Sequence, residues 1–249
     1  MKIYKFLSDY IIPIISPTYM LTDYIKNNPD YIKNEYIRSE KIIKLYRQYF
    51  RLSLILCILL LIPFFHQNIF LSIIFLYYAF SRVIEISLAF IIDSIDKMKN
   101  KPLSKKSISY HNRFILALKS YLELILAYGI IYFLIDVNQK IFFLNSIERL
   151  FNMEFKSILQ AIYLSANTVT LLGYGDIYPS HISIELIATL QVISGVFLII
   201  ITFTIYVNLN FANPNNLNEV KRKIQPRSKA RTIIQILIIH LIILALYII

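Results

Sequence analysis

Two of the chain's four glycines flank one tyrosine, Gly173-Tyr174-Gly175, directly before Asp176 and just past a mainly apolar stretch over residues 155–170. Glycine reaches left-handed backbone angles without steric cost. Glycines at alternate positions therefore let successive carbonyls point to one side, which an ordinary strand does not allow. A row of such oxygens can replace the water shell of a bare cation. Removing that water without replacement costs on the order of 20 kcal/mol in the idealised Born estimate, so oxygens placed this way have a definite task.

From Thr168 to Asp176 the residues read TVTLLGYGD, which resembles the selectivity filter of the potassium channel superfamily, T-x-T-T-V-G-Y-G-D. The resemblance runs back through Ala161, Ser165, Thr168 and Thr170, where bacterial members often carry small or hydroxyl residues. It runs forward to Gly195, twenty residues past Gly175, where the family's inner helix commonly has a hinge glycine. Residues 155 to about 206 are covered. The family likeness implies a filter made of Thr170, Leu171, Leu172, Gly173, Tyr174, Gly175 and Asp176, whose carbonyls coordinate permeating potassium ions without a cofactor. It implies filter support from Tyr163, Asn167 and Thr168, a hinge or gate at Gly195, Ile199 and Phe203, and a homotetramer, since one chain supplies one filter loop. Two positions depart from the pattern. Leu171 replaces the threonine that forms the innermost ion site, and Leu172 replaces the usual valine. A poorly selective cation channel is therefore the alternative expectation. A non-conducting membrane scaffold or sensor on the same fold is a third.

Several support roles stay open on sequence. An Asn167–Asp176 hydrogen bond would brace the loop, or Asn167 bonds within its own helix. The Tyr163 hydroxyl would tie the pore helix to the filter, or its ring simply packs between helices. The Tyr174 ring would face away from the pore. Gly195 serves as a hinge or permits a close approach between helices.

The elements that must hold such a loop are apolar helices. Apolar residues make up 57% of the chain and charged residues 16%, against about 25% charged in an ordinary soluble domain, so a multi-pass, all-α membrane protein is expected. Residues 1–41, with Pro13, Pro17 and Pro29, read as a cytoplasmic surface segment. Residues 42–95 read as a transmembrane hairpin, with arms at about 42–65 and 69–92 joined by a turn at His66-Gln67-Asn68. A basic loop follows at 96–113. The pore domain occupies 114–210: a third span to about 135, a polar and aromatic stretch, a pore helix at 155–170 and a fourth span at 183–208. Residues 211–231 form a basic cytoplasmic linker, and 232–249 a C-terminal helix that spans or embeds in the membrane. The pore helix is roughly 24 Å long at 1.5 Å per residue, too short to cross, so it is re-entrant. Its non-helical continuation is tolerated at membrane depth only if it lines a water-filled path or is buried in protein.

Charge placement agrees with this topology. Twenty-one Lys and Arg fall on the side of the N-terminus, the 93–113 loop and the 211–231 linker, against three on the other side. The positive-inside rule then places the N-terminus in the cytoplasm of a cell-membrane protein and Asp176 outside. The basic run Lys221-Arg222-Lys223 marks topology or meets anionic lipid. The basic residues hug the spans, which excludes a nucleic-acid-binding domain. Arg82 with Glu85, and Lys119 with Glu123, are ionisable residues at helical spacing inside spans, read as local ion pairs. The one cysteine, Cys57, excludes a disulfide framework. His66, His111, His181 and His240 are scattered, and no catalytic or metal-ligating constellation stands out.

Overall fold

The computed structural model describes residues 16–27, 35–98, 110–142 and 149–212. The chain divides into two compact units, Met1–Ile205 and Tyr206–Ile249. Of the second unit, residues 206–212 are described, as helix. The expected C-terminal helix at 232–249 and the basic run at Lys221, Arg222 and Lys223 lie outside the described residues, as does most of the 96–113 loop.

Among the described residues eight helices follow in order: α1 (Pro17–Asn27), α2 (Glu35–Leu59), α3 (Pro63–Gln67), α4 (Ile69–Met98), α5 (Tyr110–Val137), α6 (Gln139–Phe142), α7 (Ile158–Thr170) and α8 (Ile182–Ala212). The described residues contain no strand, so the protein is all-α. Local chemistry sets several starts. Pro17 opens α1 at the position where its missing N–H costs nothing, and the Ser16 hydroxyl accepts the Tyr19 amide at 3.3 Å. Asn68 caps α4, its side-chain oxygen accepting the Phe70 and Leu71 amides. His181 caps α8 through Nδ1, which accepts the Ser183 amide at 3.2 Å.

Among the described residues three helices are long and apolar enough to cross a membrane, over Ile69–Ala89, Ile115–Val137 and Ile182–Ile200. These match the expected second arm, third span and fourth span, each running slightly longer as helix. The expected first arm, 42–65, is not one of them. Its helix begins at Glu35 and stops at Leu59, and residues 60–62 break the run before α3. Pro63 is the cause: proline disfavours helical angles in the preceding residue, and Ile62 is extended at φ −92°, ψ 122°.

Helix α5 is central. Ala127, Tyr128 and Ile130 to Ile135 are all buried, and α5 packs against α2, α4 and α7. At its middle, a Cβ on Gly129 would stand 2.8 Å from Ile162 Cγ1 and 3.0 Å from the Ile162 backbone. The helices meet there because glycine lets them.

One cluster of charge is sealed inside the first unit. Arg82 on α4 pairs with Glu85 one turn away and with Glu123 of α5, Nε to Oε1 at 2.6 Å. Arg82 and Glu85 have no exposed surface and Glu123 almost none. The local Arg82–Glu85 pair is thus present, while Glu123, expected to pair within its own helix, also binds across helices. A charge at this depth needs a fixed partner, and Arg82 is nearer than the solvent. The Thr22 hydroxyl of α1 donates to Glu85 at 2.7 Å, and the Ser53 hydroxyl of α2 to Glu123 at 3.4 Å. The Tyr49 ring of α2 covers the guanidinium, 4.1 Å from its carbon to the ring centre. The part of the expected surface segment at residues 16–27 is therefore more than a surface layer. Ser16 and Thr18 hydrogen-bond Ser81, seating α1 on α4.

Candidate functional site

Helix α7 has thirteen residues, about 20 Å at 1.5 Å per residue. It starts three residues later than expected, after Ser157, which is extended at φ −155°, ψ 160°; ahead of it the Phe155 amide donates to the buried Asp136 carboxylate of α5 at 2.8 Å. Near its start the Gln160 side chain reaches back to accept the Lys156 amide at 2.7 Å. Its far end closes at Leu171, which adopts φ 60°, ψ 25°. There the Leu171 amide bonds the Thr168 carbonyl and the Leu172 amide bonds the Asn167 carbonyl. This is a Schellman closure, with leucine in the place usually held by glycine. The hydroxyls of Thr168 and Thr170 donate back to Leu164 and Ala166 carbonyls at 2.8 and 2.6 Å. Neither hydroxyl is therefore turned outward as a donor.

Beyond α7 the chain is non-helical from Leu172 through Ser180. Positive φ recurs at every second residue: Leu171 at 60°, Gly173 at 61° and Gly175 at 75°. The two glycines deliver the alternation expected of them, and Leu171 extends it by one step. Residues 171 to 176 are all exposed on the chain. They are neither coiled into helix nor packed into the protein's own core. The partial negative end of α7 lies directly before them.

Both tyrosines of the expected site are brought together. The Tyr163 and Tyr174 rings stack with centres 6.5 Å apart and planes 5° from parallel. The Tyr163 hydroxyl interacts with the side chains of both Asn167 and Asp176. Past the loop, Asn152 clamps the outer end. Its side-chain nitrogen donates to the Asp176 carbonyl at 2.8 Å and its oxygen accepts the Tyr178 amide at 3.0 Å. A single antiparallel bridge joins Phe151 and Pro179 beside it.

Behind the loop, Gly195 of α8 lies against α7. A Cβ there would overlap Val169 Cγ2 and stand 3.4 Å from the Val169 carbonyl oxygen. The close-approach role is occupied, and α8 runs helical through this point. Ile199 is exposed on the same helix; the side chain of Phe203 lies outside the described residues. Four residues before Gly195, Gln191 is fully buried and joins three helices. Its amide nitrogen donates to the Ser165 carbonyl and hydroxyl, both at 2.8 Å, and its oxygen accepts the Tyr132 hydroxyl at 2.7 Å. The Ser165 hydroxyl in turn donates to the Ile125 carbonyl at 2.8 Å. Gln191, Tyr132, Asp136, Asn152 and Gly129 were not marked by the sequence reading. A glutamine inside an otherwise apolar span was the one available signal, because a polar side chain at membrane depth needs a partner.

Residues 120–212, well under half of the chain, match the family model described as Ion channel. No curated protein and no solved structure matches the chain. The matched segment contains most of α5, all of α7, the 171–176 loop and α8. It supports an ion channel family for this part, and with three membrane-length apolar helices among the described residues the chain is a membrane-spanning protein.

Proposed function

We propose that this chain forms a passive, potassium-selective pore from four copies, with α5, α7 and α8 of each copy around a common axis. The carrying observation is the alternation of positive φ at Leu171, Gly173 and Gly175 in an exposed loop at the end of a short helix. Such a backbone sends its carbonyls to one side, and a single loop cannot enclose an ion. Four loops do so, their oxygens taking the place of water, and neighbouring ions drive one another forward by repulsion. The Tyr163–Tyr174 stack and the Asn152 clamp hold the loop at its two sides. Charge placement puts the N-terminus in the cytoplasm of the cell membrane and Asp176 outside. The full chain, purified and reconstituted in vesicles, should carry potassium down its gradient and sediment as a tetramer. A folded protein that passes no cation under any applied voltage sinks the proposal.

A specific observation favours a second reading, a cation pore of low selectivity. Leu171 holds the innermost position with its apolar side chain 61% exposed, where an oxygen would otherwise complete an ion site. Reversal potentials in mixed potassium and sodium separate the two readings. A permeability ratio near one favours the second, and Leu171→Thr then raises it.

A further inference from the structure

The basic half of α2 carries an unusual face. Lys44, Arg47 and Arg51 follow one another at three and four residues and continue in line into Leu54, Ile55 and Ile58. All six are exposed, Ile58 by 63%. The opposite face, with Ser53, Leu56 and Cys57, is buried. Exposed Glu40 is the one acidic residue that shares the basic face, leaving cations in excess. Among the described residues, none forms an ion pair with Lys44, Arg47 or Arg51.

The depth of this face follows from its neighbours. Ser53 stands level with Glu123, since their side chains meet. Glu123 lies eight residues into the apolar span that begins at Ile115, about 12 Å along the helix. The edge of the hydrocarbon therefore crosses α2 near residue 45. Lys44 sits at headgroup level, while Arg47 and Arg51 start inside the hydrocarbon and reach back toward it along their aliphatic stems. Arginines facing lipid at this depth without a protein carboxylate draw in a phosphate, whose oxygens match the guanidinium fork.

We propose that this face of α2 is a binding site for an anionic phospholipid, its phosphate held by Arg47 and Arg51 with Lys44 beside them and its acyl chains lying along Leu54, Ile55 and Ile58. The site is separate from the pore and does not depend on what the pore conducts. A soluble acidic ligand would satisfy the cations but leave the apolar continuation of the face uncovered, which is why lipid is the occupant.

The test uses the full chain in a neutral detergent. Phosphatidylglycerol, phosphatidylcholine or glycerol phosphate is added, and the thermal unfolding midpoint and the lipid retained per chain by mass spectrometry are read. Phosphatidylglycerol should raise the midpoint and be retained; phosphatidylcholine and glycerol phosphate should do neither. Each basic side chain near a bilayer surface is worth about fivefold in affinity for anionic lipid. The triple variant Lys44→Gln, Arg47→Gln, Arg51→Gln should therefore hold phosphatidylglycerol roughly a hundredfold more weakly, and Lys140→Gln, an exposed lysine past the far end of α5, should match the native chain. Should the triple variant fail to fold, Arg51→Gln alone, read by retained lipid, carries the same comparison. Undiminished retention in the triple variant, or in Arg51→Gln where that takes its place, overturns the proposal, and so does an equal response to phosphatidylcholine or to glycerol phosphate.

Discussion

Among the described residues three adopt left-handed angles and two glycines are pinned by space, and the two constraints predict different failures. At Gly173 a Cβ would meet nothing within 4 Å in its own chain, yet φ is 61°. Gly173→Ala thus suffers from backbone strain, about 1–2 kcal/mol, and should lose potassium flux while the chain still folds; a flux assay beside circular dichroism checks this. Gly195 has ordinary helical angles but no room, because Val169 fills the place of its side chain. Gly195→Ala should cost about 1–3 kcal/mol through overpacking, read as a lower unfolding midpoint in detergent. Val169→Ala in the same chain should remove most of that cost, since the obstructing atom is a side-chain methyl. A double-mutant cycle with no coupling between the two positions would contradict the contact. Gly129 differs again: Ile162 opposes it with backbone as well as side chain, so trimming Ile162 should relieve Gly129→Ala only in part.

At the scale of elements, the short helix α7 is fixed by polar contacts to both of its neighbours. Gln191 from α8 accepts the Tyr132 hydroxyl of α5 and donates to Ser165 of α7, so every polar atom of the Gln191 amide has a partner. Gln191→Leu leaves the buried Tyr132 hydroxyl without its acceptor, a cost of about 1–3 kcal/mol. Tyr132→Phe should cost less, and adding it to Gln191→Leu should cost almost nothing more, because the bond is already gone. Unfolding midpoints of the three variants test that non-additivity. This trio also marks where sequence reading stopped. The loop was legible because glycine, tyrosine and aspartate lie within four positions and their chemistry is local. The spans were legible because apolar runs announce themselves at membrane length. Tyr132, Ser165 and Gln191 are far apart in the chain, and nothing in their spacing says that three helices converge on them. Leu171 was read as a side-chain substitution, while its backbone role in closing α7 depends on φ, which residue type does not reveal. The break at residues 60–62 was readable from Pro63 but was outweighed by the apolar run around it.

At the scale of the molecule, the Arg82 cluster binds α1, α2 and α4 to the same helix, α5, that supports α7. One guanidinium serves two carboxylates, and its second terminal nitrogen has no hydrogen-bond partner among the described residues. That imbalance makes the cluster sensitive to loss of the guanidinium. Arg82→Met removes the Arg82 charge from both carboxylates at once, and breaking a buried ion pair from one side costs about 3–5 kcal/mol. The variant should lose its thermal transition or expose α1 to protease, since Thr22 then faces a buried carboxylate that has lost its Arg82 partner. Adding Glu85→Gln and Glu123→Gln to Arg82→Met removes the orphaned charges while keeping the volumes similar. The triple variant should regain most of the native midpoint, because well-packed neutral replacements of a buried ion cluster are often no less stable. Potassium flux measured on the same triple variant then separates two roles for the cluster. Native flux would make it a structural tie between the first helices and α5. Lost flux in a chain of native stability would mean that the charges themselves set the position of α5, and through Gly129 and Ile162 that of α7 and its loop.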